Sequence, residues 1–486
     1  MPPSGTDRDI HVPDPVDAVA RDAETRPHPR SLPVPLIAAV AALGGLLFGY
    51  DTGIISAALL FIDKSFPIGT GAKQLVTSAI VAGALVGCLA AGPASDKLGR
   101  RPVIILSALL FALGSIASAW AGSVPSLTGA RLLLGLAVGA VSQIIPVYIA
   151  ELAPPARRGG MVVLFQLAIV GGILLSTVIG WWLGGDAGVW PFPYPGGNWR
   201  LMFLLGVLPA AILFAGMFLL PESPRFLALR GDLPRAFSIL RGVRGSIAEA
   251  AEELRSILAQ PREDGSWRLL FSRPVRPALL AGTGVAMFSQ ITGTNATIYY
   301  APTILASAGF GAGAALQTQL LIGVTIVLAT IIGLMVVDRW GRRTLMLRFL
   351  PVAALGLALL GASFLGGNPA GAGRYAAVAG LVGYEIFNVG SISVAIWLVG
   401  AEVFPLAIRG KGMSMVALSH WGFDLVVSLF TLSVVQALGT SGAFFLFAVI
   451  NVLAWLFVFR LVPETKGRSL EQIEQSLQAG QFTAMR

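Results

Sequence analysis

Charged side chains are scarce in this chain of 486 residues. Asp, Glu, Lys and Arg together make up 12% of it, about half the share found in a soluble domain. The stretch between Arg276 and Asp338 contains no charged residue and no histidine, which excludes a water-exposed fold for that stretch. Apolar residues account for 55% of the chain and form runs of about 20 residues, the length at which an α-helix crosses a bilayer.

Cysteine and histidine are also nearly absent. The single cysteine, Cys88, excludes a disulfide within the chain. There are three histidines, no His-Glu-x-x-His motif and no Walker-type loop, which excludes a zincin protease and an ATP-driven pump within this polypeptide. We therefore expect no enzymatic activity, no metal and no cofactor.

The apolar runs predict an all-α membrane protein with about twelve transmembrane helices in two six-helix bundles. The spans are predicted near 34–60, 75–95, 102–122, 127–150, 161–183, 200–220, 278–308, 318–337, 344–366, 376–400, 413–438 and 441–462. The predicted domains are a disordered tail (1–32), an N-terminal bundle (33–220), a linker with short helices (221–277), a C-terminal bundle (278–462) and a C-terminal tail (463–486).

Basic residues occur in alternate loops. The loops at 96–101, 151–160, 338–343 and 402–412 carry arginine or lysine, whereas those near 121–126, 301–317 and 437–442 carry neither. The positive-inside rule places the first set in the cytoplasm, and an even number of spans places both termini there. Because its basic residues lie in short loops between apolar runs, the net charge of +9 reflects membrane topology and not binding to nucleic acid. We therefore expect a multi-pass protein of the cell membrane, in contact with the lipid bilayer.

Three motifs recur in the same order in the two halves, which indicates a duplication. The motif at 96–101 recurs at 338–343, that at 151–159 recurs at 402–410, and 221–225 resembles 463–468. All combine acids with arginines, so we expect a cytoplasmic gate that latches the halves together and parts when that side opens. The alternative, ordinary solvated loop charge, does not account for the repeated spacing. The predicted gate residues are Asp96, Arg100, Arg101, Glu151, Arg158, Glu222, Arg225, Asp338, Arg342, Arg343, Glu402, Arg409 and Glu464.

Ionisable residues inside the spans are functional candidates, because a buried charge is unfavourable in lipid. Asp51 in the first span and Arg131 in the fourth should pair, and protonation of the acid would weaken that pair. The pair could equally be static and only fix helix packing. The second half contains Glu385 in the tenth span, and His420 and Asp424 on one face of the eleventh.

Taken together, these motifs resemble the sugar porter family of the major facilitator superfamily. The resemblance includes the segment G-L-L-F-G-Y-D-T-G at 45–53, the repeated Gly-Arg-Arg loops, and the motifs at 221–225 and 463–468. It covers nearly the whole chain after residue 35. It implies two six-helix bundles around a central site for a hexose, pentose or polyol. It also implies proton symport, with Asp51 as the proton site and Arg131 as its partner.

The resemblance implies solute ligands as well, although this chain departs from the family at several of them. Ser289 replaces a glutamine, Ile326 replaces an asparagine of many relatives, and 393–396 lack the usual Gly-Pro. Acidic Asp424 near His420 would let the histidine change charge near neutral pH and make affinity depend on pH, unless the two only satisfy each other in the interior. The replacement of amides by Ser289 and Ile326, together with the added His420 and Asp424, disfavours a plain hexose as the solute. The predicted solute-binding residues are Gln166, Ser289, Gln290, Asn295, Trp397, His420, Trp421 and Asp424.

The leading expectation is therefore a monomeric proton-coupled symporter for a sugar or polyol that works by alternating access. A passive facilitator of the same fold is disfavoured by Asp51, because passive relatives tend to have a neutral residue there. A nutrient sensor that binds without transporting is disfavoured by the short C-terminal tail, since such relatives tend to have long ones.

Overall fold

A computed structural model describes most of the chain. The described residues are 15–24, 32–63, 65, 67–154, 157–184, 197–244, 246–259, 266–307, 309–468 and 470–482. They form helices and no strand. In this part of the chain, ten helices are long and apolar enough to cross a membrane. One of these ten is bent and crosses twice, and a further helix that is broken into two pieces adds the twelfth span. Helices suit a bilayer because each satisfies its own backbone hydrogen bonds.

A short helix and six spans make up the first half. They are α1 (Pro15–Glu24), α2 (Val34–Ile62), α3 (Thr70–Leu98), α4 (Arg100–Ala119), α5 (Val124–Leu152), α6 (Arg158–Gly184), and α7 (Asn198–Leu204) with α8 (Val207–Leu219) as one span. Glycine lets these helices touch: a Cβ added to Gly49 on α2 would lie 1.8 Å from the carbonyl oxygen of Ile169 on α6. The high glycine content of the spans therefore serves close packing in lipid.

Four short helices lie between the halves. They are α9 (Pro224–Leu229), α10 (Leu233–Val243), α11 (Ile247–Ala259) and α12 (Trp267–Leu270). Arg244 connects them to the first half, because its Nη1 donates to the carbonyl oxygen of Leu152 at 2.8 Å while its guanidinium pairs with Glu253 of α11. The linker is thus attached to the end of α5.

The prediction of a disordered tail over 1–32 is wrong for α1. Val16 is buried with Phe237 and Leu254 of the linker helices, and Asp17 pairs with Arg255. The physical reason is that α1 has apolar residues at helical spacing, and these cover an apolar face of α10 and α11. Residues 1–14 and 25–31 of the predicted tail lie outside the described residues.

The second half contains the broken and the bent helix. Its elements are α13 (Arg276–Ile291), α14 (Thr294–Ser307), α15 (Ala312–Trp340), α16 (Arg342–Ser363), α17 (Ala372–Asn388), α18 (Val394–Val403), α19 (Arg409–Leu461) and α20 (Leu470–Gln478). α13 and α14 form one span interrupted at Gly293, and a π-helical turn joins α17 to α18. α19 turns at Gly439, where φ is 70°, and thereby supplies two spans. α20 lies in the predicted C-terminal tail and buries Ile473 and Leu477.

The duplicated motifs adopt matching structures in the two halves. Gly99 and Gly341 end α3 and α15 with φ values of 102° and 91°, which glycine tolerates. Glu222 accepts a hydrogen bond from the backbone N–H of Arg100 at 3.0 Å, and Glu464 accepts one from that of Arg342 at 2.9 Å. Each glutamate thus places a negative charge at a helix N-terminus, where the helix dipole favours it. We call the end of the bundle that carries these motifs the basic face.

The predicted latch between the halves is not formed among the described gate residues. Arg100 pairs with Glu151 at 3.2 Å and with Asp96 at 3.2 Å, all in the first half. Arg342 pairs with Glu402 at 2.9 Å and with Asp338 at 3.4 Å, all in the second. These pairs satisfy charge within each half, because the motifs of one half converge on the same helix ends.

Four of the remaining predicted gate arginines also bond within one half or to the linker. Arg101 Nε donates to the carbonyl oxygen of Met217 at 3.0 Å, and Arg343 Nη2 donates to that of Phe459 at 2.9 Å. Arg158 lies 3.9 Å from Glu253 of the linker, Arg409 lies 3.5 Å from the carbonyl oxygen of Phe404, and Arg225 is exposed.

Hydrogen bonds between the halves occur at the opposite end of the bundle. Ser433 Oγ of α19 donates to Gln74 Oε1 of α3 at 3.0 Å. Nearby, Gln436 Nε2 of α19 donates to Thr70 Oγ1 of α3. In this conformation the halves are therefore joined at the face opposite the basic face.

Candidate functional site

A buried ion pair lies between two spans of the first half. Asp51 on α2 is 2% exposed and Arg131 on α5 is fully buried. The guanidinium Nη2 lies 3.2 Å from Asp51 Oδ2, and Nη1 donates to Asp51 Oδ1 at 3.3 Å. The structure thus brings together the two predicted coupling residues.

Arg131 has two further contacts that fix its position. Its Nε donates to the carbonyl oxygen of Val76 on α3 at 2.9 Å. Its guanidinium carbon lies 5.6 Å from the ring centroid of Phe203 on α7, a cation–π distance. The arginine is thus held from three sides, whereas Asp51 contributes the negative charge that balances it. Protonation of Asp51 would leave the arginine charge without its counter-ion.

A cluster of polar side chains lies at the interruption between α13 and α14. Asn295 Nδ2 donates to Gln290 Oε1 at 2.7 Å, which bridges the interruption. Gln290 Nε2 donates to Ser289 Oγ at 3.1 Å and lies 2.9 Å from His420 Nδ1 on α19. Amides and imidazoles both donate and accept hydrogen bonds, as the hydroxyl groups of a polyol require. The cluster unites four predicted ligands from two spans.

Aromatic rings surround His420. The ring centroids of Trp397 and Trp421 lie 5.3 and 5.4 Å from that of the histidine. Trp421 is 4% exposed, whereas Trp397 is 38% exposed. A partly exposed aromatic ring beside His420 is the kind of apolar surface that C–H groups of a sugar ring can contact.

Phe48 of the first half contacts this cluster and was not predicted from the sequence. Its ring centroid lies 5.4 Å from that of Trp421. Phe48 is three residues before Asp51 on α2, so both lie on neighbouring positions of one helix face. The signal that could have found it is its position within the 45–53 motif, three residues before Asp51. Phe48 thus connects the helix that carries Asp51 to Trp421 beside the polar cluster.

His420 and Asp424 do not form the local pair that was the alternative interpretation of their spacing. Asp424 Oδ2 instead accepts a hydrogen bond from Tyr299 Oη at 3.2 Å, and His420 contacts Gln290. The spacing of four residues puts both on one side of α19, but α13 and α14 pack against that side and supply closer partners. Tyr299, on α14, was not predicted.

Gln166 is not hydrogen-bonded to the polar cluster. It lies on α6 of the first half, is half-buried and makes no hydrogen bond to the described residues. Ile326, where many relatives have an asparagine, is 2% exposed in the apolar core. The polar ligands brought together by the structure therefore come from the second half.

The chain is similar to known sugar transporters over most of its length. Residues 37–477 match the family model described as sugar (and other) transporter. The D-xylose transporter of Levilactobacillus brevis is 38% identical over 446 residues, which cover 90% of this chain and 94% of that protein. The galactose-proton symporter of Escherichia coli strain K12 is 38% identical over 446 residues, 91% of this chain and 94% of that protein.

A solved structure supports the same assignment. The inward open conformation of the xylose transporter XylE from E. coli matches with a TM-score of 0.77 and 28% identity, over 91% of this chain and 99% of that one. This chain belongs to the sugar porter family of the major facilitator superfamily.

Proposed function

We propose that this protein is a secondary active transporter that couples proton entry to the uptake of a sugar or polyol. The observation that carries the proposal is that α2 holds both Asp51 of the buried ion pair and, three residues earlier, Phe48, whose ring contacts Trp421 of the cluster. Relatives named as D-xylose transporter and galactose-proton symporter support both parts of the proposal.

Coupling between proton and solute can arise from this arrangement. When Asp51 is ionised, it is held by Arg131, and α2 is fixed against α5. When Asp51 takes up a proton, the attraction is lost and α2 is free to shift. Phe48 lies on the same face of α2 and contacts Trp421, so such a shift changes the packing around the solute cluster. Proton binding and solute binding thereby influence each other.

Alternating access accounts for the contacts between the halves. The halves are bonded to each other at the face opposite the basic face, while gate pairs at the basic face lie within each half. This conformation therefore corresponds to opening toward the basic face, in keeping with the similarity to an inward open structure. Transport requires a second conformation in which the basic face closes and the bonds of α19 to α3 break.

The proposal also covers the orientation of the protein in the membrane and its oligomeric state. The positive-inside rule assigns the basic face, the linker and both termini to the cytoplasm of a cell whose plasma membrane holds the protein. One chain contains both halves and the complete cluster, so we propose that the monomer is the transporting unit.

The test is uptake into proteoliposomes with an imposed pH gradient, screened over pentoses, hexoses, polyols and inositols. Symport predicts that at least one solute accumulates above its outside concentration and that collapsing the gradient with a protonophore abolishes accumulation. Equilibration without accumulation would identify a passive facilitator instead. Binding without flux in either condition would identify a sensor.

His420 allows a prediction about pH that is separate from coupling. An amide nitrogen only donates, so His420 Nδ1 accepts from Gln290 Nε2 and the ring is neutral. A protonated ring has donors only and would repel that N–H group. The pH dependence is measured in Asp51→Asn, which lacks the proposed coupling acid. In this variant we expect solute affinity to fall on acidification. Adding His420→Gln should flatten this dependence, because a glutamine oxygen can still accept the hydrogen bond.

Calorimetric titration of solute at several pH values provides the measurement for His420. His420→Phe serves as the matched variant, since it keeps a ring and removes the acceptor. It should weaken binding at every pH by roughly 1–3 kcal/mol, the effect of leaving a buried donor unpaired. An unchanged pH profile in His420→Gln would assign the dependence to another group.

A further inference from the structure

A network of buried side chains holds the interruption between α13 and α14. The backbone stops being helical at Ile291, and Gly293 has a φ of 107°, a conformation that favours glycine. The interruption leaves the carbonyl oxygen of Thr292 without a helical partner. Gln290 and Asn295, which form the hydrogen bond of the solute cluster, lie on either side of it.

Two side chains from other spans satisfy that carbonyl oxygen. Tyr384 Oη of α17 donates to it at 3.0 Å, and Asn451 Nδ2 of α19 donates to it at 3.0 Å. On the other side of the interruption, Thr294 Oγ1 donates to Asn388 Oδ1 of α17 at 2.7 Å. Asn388 Nδ2 then donates to Asn451 Oδ1 at 2.9 Å, which closes the network.

The network can form in one orientation only. Both N–H groups of Asn451 are used, because Nδ2 also donates to the carbonyl oxygen of Phe447 at 2.8 Å. A flipped Asn451 amide would direct its oxygen at two carbonyl oxygens, and the amide nitrogen of Asn388 would lose its acceptor. Asn388, Asn451 and Tyr384 are fully buried. A satisfied buried network of this kind fixes a unique geometry.

We propose that Tyr384, Asn388 and Asn451 are positioning residues that set the geometry of the Gln290–Asn295 pair and hence solute affinity. They do not bind the solute, because the amide groups of both asparagines are already bonded within the protein. The proposal rests on the proposed function in that the pair is a solute ligand. It assigns control of that ligand to residues about 100 and 160 positions away in the sequence, on α17 and α19.

The test compares Asn451→Leu with a control variant on the same helix. Leucine has the same branched arrangement of four side-chain heavy atoms and removes every hydrogen bond of the amide. Trp455, one turn further along α19, makes a hydrogen bond of similar kind to the carbonyl oxygen of Leu347 at 3.1 Å, so Trp455→Phe removes one tertiary bond away from the interruption. Thermal unfolding should show both variants folded and both less stable than the unmodified protein.

Two readouts separate positioning from general destabilisation. Solute affinity, measured by calorimetry, should fall at least tenfold in Asn451→Leu and less than twofold in Trp455→Phe. Backbone hydrogen exchange over 289–296 should accelerate at least tenfold in Asn451→Leu only. Asn388→Leu should resemble Asn451→Leu, and the double variant should bind no more weakly than either single variant, because all belong to one network.

The outcomes distinguish this proposal from the proposed function. If Asn451→Leu and Trp455→Phe have the same affinity and the same exchange over 289–296, the network does not position the pair. If no sugar, polyol or inositol binds the unmodified protein, the proposed function fails, and hydrogen exchange alone decides whether the network holds the interruption.

Discussion

Replacement of Asp51 by asparagine is expected to abolish solute accumulation while leaving solute exchange intact. The side chain is buried against Arg131 at 3.2 Å, and an amide cannot take up or release the coupling proton. It resembles the protonated acid in shape and charge, so the conformational change with bound solute should persist. Accumulation driven by a pH gradient and counterflow of labelled solute, both in proteoliposomes, measure the two properties.

Asp63 supplies the matched control for this experiment. It lies just beyond the end of the same helix, α2, and pairs with Lys73 at 2.6 Å, but 43% of its side chain is exposed. An exposed ion pair contributes little, so Asp63→Asn should accumulate solute as the unmodified protein does. Gradient-dependent accumulation by Asp51→Asn would place the coupling proton elsewhere, and Glu385 and Asp424, both buried, would then be exchanged for their amides.

Truncation of Gln290 is expected to have the second large effect. Its amide is bonded to Ser289, Asn295 and His420 at once, so Gln290→Ala removes the centre of the cluster. Leaving buried polar partners unpaired weakens binding by roughly 1–3 kcal/mol, which corresponds to about a 5- to 150-fold higher Kd. Calorimetric titration with the transported solute measures this change.

Two further variants and one control complete this test. Asn295→Ala should act in the same range, and Trp397→Ala should weaken binding through loss of its accessible ring face. Gln319→Ala is the control, because Gln319 is equally buried and bonds the carbonyl oxygen of Ile298 outside the cluster. Affinities that do not differ between the control and the three variants would remove the cluster from the solute site.

The π-helical turn between α17 and α18 is relevant to substrate recognition. It spans Val389–Ser393, immediately after Asn388 of the positioning network and shortly before Trp397. An extra residue in a helical turn shifts the rotational register of the helix beyond that turn. It therefore helps set the direction in which Trp397 faces relative to Asn388, in a segment that lacks the Gly-Pro expected from the family.

The fold was determined largely by the sequence itself. Apolar runs of sufficient length have no option in lipid other than helices, so the spans and the family could be predicted from composition, loop charge and repeated motifs. Gly439 lies between two predicted spans and is where α19 turns. The repeated Gly-Arg-Arg loops adopt matching structures because both require a positive φ and a glutamate at the next helix N-terminus.

The partners of the buried polar residues were decided by tertiary structure alone. Spacing along α19 allowed His420 to pair with Asp424, yet the packing of α19 against α13 and α14 gives them Gln290 and Tyr299 as partners instead. Helix α1 was missed because its short apolar face is stable only against the linker. The network around Thr292 combines residues from three separate helices, and no local pattern specifies which buried amides will meet.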